Sequence, residues 1–425
     1  MNELNQLLDG IAIPRMLWVR QEFDAAHIDR QDICQTVFEQ LTAAGVPQRV
    51  QPGARIALTA GSREICCIDE ILRSAAAFLK QLGARPFIVP AMGSHGGATA
   101  EGQIELLAGY HITEETCGCP ILSSMETVFL GKTADGQDVF LDRYAAKADG
   151  ILVIGRVKAH TGFQGPYESG ILKMLAIGLG KQKGADSCHS KGFGRMAENI
   201  QQFGFAILKY AKVVGALAIL ENAFDQTYRL AGMAPEEIAA QEPKLLQEAK
   251  ALMPQILLPS CDVLVVDEIG KNFSGSGMDP NVGGRQITPF CSGKLRSQQA
   301  AVLRLSEKTH RNGYGIGAAN FTTMRAFHSL DLASMYINGL TCREIDCCHI
   351  PCVMDSDRLA IQACIRMCSD IGASGPRVIR IANTLQLQEI QVSENYAEEI
   401  ASHPRLTVLD GPYDLPFDPC GNLPL

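Results

Sequence analysis

The sequence predicts an α/β protein made of two α/β domains, with a hinge between them and an active-site cleft where they meet. Three observations lead there. At 425 residues the chain exceeds what one small core can serve and suits two or three domains. Its composition, 46% hydrophobic and 20% charged, is that of an ordinary globular protein. Most telling is a repeated theme, a short β-rich run that empties into a glycine-rich turn and then a helical pattern.

The elements follow in order. "RIALTAGSREICCIDEILRSAAAFLKQLGA" (55–84) reads as a strand, a loop at Gly61-Ser62-Arg63, and an amphipathic helix closed by Gly83. "PFIVPAMGSHGGATAEGQIELLA" (86–108) repeats it, with Thr99 as N-cap and Glu101 in the first turn. "GILVIGRVKAH" (150–160) is a third strand with a polar tip, and "VVGALAILENA" (213–223) a fourth. A charge-mixed helical stretch (234–260) carries Pro243, Pro254 and Pro259, of which the last two mark the hinge. These elements define an N-terminal domain over 1–256. "DVLVVDEIG" (262–270), the glycine-rich "KNFSGSGMDPNVGGR" (271–285), "VIRIAN" (378–383) and "IQVS" (390–393) define a C-terminal domain over 257–404. A proline-rich tail over 405–425, entered through "RLTVLD" (405–410), is expected to pack back onto the first domain. Strands alternating with helices argue for parallel sheets whose functional groups gather at the strands' carboxyl ends.

Several functions are excluded. A formal charge of −8, a pI near 5.7 and scattered basic residues leave no surface for nucleic acid. The longest apolar stretches, such as "VVGALAIL" (213–220), are too short to cross a bilayer. The opening "MNELNQLLDG" lacks the features of a secretory signal. Fifteen cysteines, an odd number, read as free thiols in a reducing cytoplasm. Cys342, Cys347, Cys348, His349 and Cys352 cluster without paired CxxC spacing. Buried spectator thiols are the simpler account of them, and an iron–sulfur or zinc site is the alternative.

The candidate chemistry lies on the loop tips. Arg63 follows the first clear strand, His95 the second and His160 the third. Each alone reads equally well as a surface cation or an ordinary loop histidine; their placement at successive strand ends makes a site. Two histidines on separate loops can face one substrate from opposite sides, as a racemase requires. Lys173 sits in the apolar run Ile171–Ile177, where an ammonium must be paired, neutralised or chemically changed. It lies either on a polar helix edge beside Glu168 or in a covalent link. His189 alone offers too few ligands for zinc, so a cofactor has to complete any metal site there. Glycines at 162, 165, 170, 178, 180 and 184 let the backbone approach something bulky and anionic, with Lys181 and Lys183 near enough to serve a phosphate.

At these residues the sequence resembles the nickel-dependent lactate racemase family, and more closely its broader 2-hydroxyacid racemase and epimerase branch. The resemblance is densest at "GSR" (61–63), "MGSHGGAT" (92–99), "KAHTGFQGPYESGILKMLAIGLGKQKGADSCH" (158–189) and "DEIGKNFSGSGMDPNVGGR" (267–285). It implies a nickel-pincer nucleotide as cofactor, joined to Lys173 through a thioamide, with His189 completing a planar nickel site and Gly180 and Gly184 beside the cofactor. Sulfur, carbon and imidazole in one plane suit Ni(II). The resemblance makes His95 and His160 the paired acid/base residues of a reaction that passes through a 2-keto acid. Arg63 would grip the substrate carboxylate. Lys271 and Arg285 would serve substrate or phosphate from the second domain. Cofactor-making enzymes are implied partners. Lactate racemases proper carry an Asp before the substrate arginine, where this chain has Ala60-Gly61-Ser62-Arg63, and a tighter glycine-rich segment before the cofactor lysine. Those departures point from lactate toward a larger or more acidic 2-hydroxyacid.

Two other readings stand beside this one. A dehydrogenase would keep the histidine pair with another redox cofactor, although no strand–GxGxxG–helix fingerprint is present. A non-catalytic binder of nickel or of its cofactor would need Lys173 and His189 but be indifferent to His95 and His160.

Overall fold

The computed structural model describes residues 2–424 as a mixed α/β protein with two main sheets. Two compact units divide the chain. Ala25–Met253 forms one; Pro254–Leu425, together with the residues up to Asp24, forms the other.

The chain enters the discontinuous unit first, with strand β1 (Met16–Gln21). It then builds the contiguous unit from β2 (Arg55–Ala60), β3 (Arg85–Pro90), β4 (Thr127–Lys132), β5 (Asp138–Asp142), β6 (Gly150–Arg156), β7 (Val213–Glu221) and β8 (Thr227–Met233). Beyond Met253 come β9 (Ser260–Ile269), β10 (Arg296–Leu305), β11 (Phe321–Thr323), β12 (Cys352–Met354), β13 (Val378–Ile381), β14 (Glu389–Ser393) and β15 (Leu406–Tyr413).

In the contiguous unit the main sheet runs β3-β2-β6-β7-β8, parallel except for β8, while β4 and β5 form a separate antiparallel pair. Alternation with period two feeds both faces of this sheet. Ile151 and Val153 of β6 join one apolar cluster, with Phe203 and Leu246 from the helices. Leu152 and Ile154 join another on the opposite face, with Ile71 and Leu41. A parallel sheet covered by helices on both faces explains why these strands read as continuous apolar runs.

The discontinuous unit carries an eight-stranded sheet ordered β12-β11-β10-β9-β13-β14-β1-β15. Its first five strands are parallel and its last three join antiparallel. Here the observed division departs from the expected one. Residues up to Asp24 belong with the C-terminal unit, because β1 pairs with β14 on one side and β15 on the other. The tail does return to an N-terminal strand, but within this unit, so neither 1–256 nor 257–404 is a structural body. Buried Gln21 locks the junction: its amide donates to the carbonyls of Gln255 (3.0 Å) and Leu387 (2.7 Å) and accepts from Leu257 N–H (2.8 Å).

Among the described residues no helix is long and apolar enough to cross a membrane.

Candidate active site

The carboxyl ends of β3, β2 and β6 are neighbours in the sheet, and each opens into a loop bearing one predicted residue: His95, Arg63 and His160. That edge is where a parallel sheet assembles ligand sites.

His95 is exposed, and its Nδ1 lies 2.8 Å from the Met92 carbonyl. A carbonyl oxygen can only accept, so Nδ1 carries the hydrogen, and in the neutral ring Nε2 has the lone pair. Buried Gln103 pins the loop by donating to the carbonyls of Gly93 (2.9 Å) and His95 (3.2 Å). Behind Gln103 stands Lys181. Its ammonium donates to Gln103 Oε1 (2.9 Å) and to the Pro90 carbonyl at the end of β3 (2.5 Å), and lies 3.4 Å from Asp142. Lys181 is 0% exposed, so it holds the histidine loop from inside and is not the phosphate contact its sequence position suggested. Burial lowers its pKa and raises that of Asp142, with the pair's attraction opposing both shifts.

His160 shows the opposite tautomer. Its Nδ1 accepts from Gly162 N–H at 3.0 Å, and a backbone amide can only donate, so Nε2 bears the hydrogen. The ring stacks on Phe163 with centroids 4.2 Å apart. Burial holds its pKa well below 6.5, helped by the positive charges of Lys173, His189 and Lys158. This coupling brings His160, Lys173 and His189 into one electrostatic neighbourhood.

His189 ends the helix Lys181–His189, where its Nδ1 lies 2.7 Å from the Ala185 carbonyl. Nδ1 therefore donates, and in the neutral ring Nε2 has the lone pair, the tautomer of a metal-binding histidine oriented by a backbone acceptor. Its ring meets Phe193 edge-on, centroids 6.3 Å apart.

Lys173 closes the one-turn helix Ile171–Lys173, which continues as a π-helical turn over Met174–Gly178, a geometry that concentrates at functional sites. Ile171 and Leu172 are buried and Lys173 is half-buried. The Glu168 carboxylate is ion-paired with Lys250 at 2.6 Å. The helix start is held instead by Glu242, 1% exposed, whose Oε2 accepts from Leu172 N–H at 3.1 Å. Gly170 is required beside it, since a Cβ there would fall 2.0 Å from Glu242 Oε1.

Burial pushes the Glu242 carboxyl up to about 7 from an ordinary 4.5, against the pull of the Leu172 and Ile171 amides. The folded protein thus holds this proton more tightly than the unfolded chain. Its contribution to stability is complete below about pH 4.5 and is lost as pH rises through 7. The difference is on the order of 3 kcal/mol. Glu242→Gln should flatten the fall in stability between those pH values, as read by chemical denaturation; an unchanged pH slope would show that Glu242 is not responsible.

Arg63 is solvent-accessible, yet surrounding protein lowers its pKa through lost hydration; Tyr110 opposes the shift and the Arg156 cation adds to it. Arg156 is itself ion-paired with Glu221 at the end of β7.

The remaining predicted residues fare differently. Gly180 and Gly184 are buried in the protein's own packing: a Cβ on Gly180 would lie 2.8 Å from the Ala176 carbonyl, and one on Gly184 would touch Phe140. Lys183 is exposed, 4.2 Å over the Phe140 ring. In the discontinuous unit, Lys271 donates to the Gly275 carbonyl (2.9 Å) and sits 4.2 Å over Tyr314. Arg285 is a correction. Its Nε and Nη2 donate to the Ala318 carbonyl (3.0 Å) and Asn320 Oδ1 (2.7 Å), and Nη1 approaches the Ser297 carbonyl (3.5 Å), so its fork is occupied within the unit. Cys347 and Cys348 are buried, and among the described residues no group of three or more His, Cys, Asp or Glu side chains is placed to hold a metal.

Residues 22–200 match the family model described as the lactate racemase N-terminal domain. Over that stretch the chain is similar to the N-terminal domain of lactate racemases. Arg63, His95, His160, Lys173 and His189 all fall inside the lactate racemase match. Among solved structures, the lactate racemase apoprotein from Thermoanaerobacterium thermosaccharolyticum is similar over 87% of this chain and 88% of that one. The TM-score is 0.44 and the identity 10%, too loose to carry any residue-level argument. No curated protein matches the sequence.

Sequence reasoning missed Gln103, Asp142, Lys250 and Glu242 as supports of this candidate site. The only signal for them was a polar residue within an apolar helical pattern or, for Asp142, at the end of an apolar strand, which burial, unseen in sequence, makes meaningful.

Proposed function

We propose that the protein is a racemase or epimerase inverting the α-carbon of a 2-hydroxyacid. The observation that carries this reading is the pair of opposite tautomers on strand ends either side of β2, neutral His95 with a lone pair on Nε2 and His160 with a hydrogen there. An inversion at a carbinol centre needs one group to take the hydroxyl proton and another to return one to the oxygen. Two imidazoles, one taking a proton at Nε2 and the other holding one there, meet that need without prior proton exchange with water. The depressed pKa of His160 keeps its imidazole neutral at physiological pH. Arg63, on the loop between them, offers a planar fork for the substrate carboxylate.

The residues fit a nickel-pincer nucleotide. His189 presents a lone pair on Nε2 because Nδ1 is committed to Ala185, and Lys173 offers an amine at the end of a helix whose start is anchored by Glu242. In this reading Lys173 holds the cofactor covalently and His189 ligates its nickel. When bound, the cofactor supplies the hydride acceptor that no side chain of the protein can provide. The protein's own part is to orient the acid, to shuttle protons at Nε2 of His95 and His160, and to keep the His160 imidazole neutral.

The test is metal analysis and intact mass of protein co-expressed with the cofactor-making enzymes. Wild type and His95→Ala should carry nickel and the added mass, while Lys173→Ala should lose both and His189→Ala should lose nickel. Nickel retained in Lys173→Ala at the wild-type level would overturn the proposal.

A further inference from the structure

We infer that Glu168, braced by Lys250, is a positioning residue that sets the tautomer of His160. Glu168 is 1% exposed, and both its oxygens are engaged by the segment that carries the histidine. Oε2 accepts from the backbone N–H of His160 at 2.7 Å, and Oε1 accepts from Gly165 N–H at 3.1 Å and from Lys250 Nζ at 2.6 Å. One carboxylate thereby ties two amides of a single loop together and draws residues 160–165 into a closed turn.

Inside that turn Gly162 N–H is aimed at His160 Nδ1, which is what forces the hydrogen onto Nε2. The turn has no slack. A Cβ on Gly162 would lie 2.7 Å from Phe193, and one on Gly165 would lie 2.6 Å from Ala197 Cβ. Phe163 closes the other side by stacking on the imidazole. The carboxylate is buried among amides that donate to it, and its charge is balanced from outside the loop by Lys250 on the helix Ile238–Leu252. Carboxylate and ammonium thus form a lever from a scaffold helix to the backbone that carries one imidazole. A buried carboxylate that accepts backbone N–H groups is a strong constraint, because the alternative leaves those amides unpaired.

The role of His160 in turnover rests on the racemase reading; its tautomer does not. The experiment therefore has two arms. In the first, ¹⁵N resonances of the His160 ring and hydrogen exchange of the His160 and Gly165 amides are followed in the cofactor-free full chain. Glu168→Gln should move Nδ1 away from the acceptor position toward a mixed tautomer, and should speed exchange of both amides by about tenfold or more. Lys250→Met, which leaves the carboxylate in place, should give a smaller change in the same direction, and it serves as the readout if Glu168→Gln fails to fold. In the second arm, loaded Glu168→Gln should lose about tenfold or more in kcat with KM within about threefold of wild type, and Glu168→Asp should recover less than half of the loss. An unchanged His160 tautomer in both Glu168→Gln and Lys250→Met would overturn the inference, whereas a shifted tautomer with undiminished kcat would uphold it and count against the part His160 plays in the racemase reading. A shifted tautomer in a protein whose wild type acts on no 2-hydroxyacid would instead count against the racemase reading.

Discussion

Alanine at His95 or at His160 should each lower turnover of the loaded enzyme by about 10²–10⁴-fold while leaving nickel bound. The two residues occupy separate loops, with His95 beyond β3 and His160 beyond β6, so neither substitution should disturb the other's anchoring contacts. The expectation is for loss in both directions of the reaction, because inversion uses one imidazole to accept a proton and the other to donate. A panel of chiral 2-hydroxyacids followed by polarimetry or chiral chromatography supplies the measurement. The pH profile adds a second handle: burial and the charges of Lys173, His189 and Lys158 hold the His160 pKa well below 6.5, so its limb should lie on the acid side of that value. Wild-type turnover in the double His95→Ala/His160→Ala variant would dismiss the paired-imidazole mechanism.

The largest loss of stability should come from a lysine that never meets solvent. Lys181→Met leaves the Asp142 carboxylate at 0% exposure without its counter-ion, which costs about 3–5 kcal/mol. Asp142 Oδ1 still caps the turn at Tyr144 and Ala145, with bonds of 2.7 and 3.0 Å, so the carboxylate has nowhere to relax. Adding Asp142→Asn keeps that capping oxygen and removes the charge. The double variant should therefore recover most of the stability, a coupling that chemical denaturation of the four proteins can read directly. Turnover should not recover with it. Gln103 loses its Lys181 donor in both cases, and Gln103 is what holds the carbonyls of Gly93 and His95. A loss under about 1 kcal/mol for Lys181→Met would show that the buried charges are not acting as a pair.

What the sequence conveyed, and what it hid, follows from the range over which each feature is encoded. Arg63, His95 and His160 were legible because strand, glycine-rich turn and helix succeed one another within a few residues, and parallel packing then aligns the turns. The environment of each side chain was not. Lys181 and Arg285 look in sequence like cations waiting for phosphate; one is sealed behind β3 and the other is tied to Ala318 and Asn320. Glu168 looked like a neighbour for Lys173, whereas its partner, Lys250, comes from a helix far along the chain. Strand β1 was missed for the same reason. "MLWVRQ" has no local partner, and its pairing with Ser393 and Tyr413 is visible only once the whole chain is folded.

That pairing has a consequence for how the molecule comes into being. A ribosome releases β1 early, but the strands that flank it, β14 and β15, are among the last to be synthesised. Meanwhile the uninterrupted stretch from Ala25 to Met253 already holds every residue of its own two apolar clusters. The nascent chain should thus complete the histidine-bearing body first, with an orphaned strand at its leading end whose unpaired amides need shielding until translation ends. Nascent chains stalled shortly after Met253 should resist protease over that body while being cut near β1.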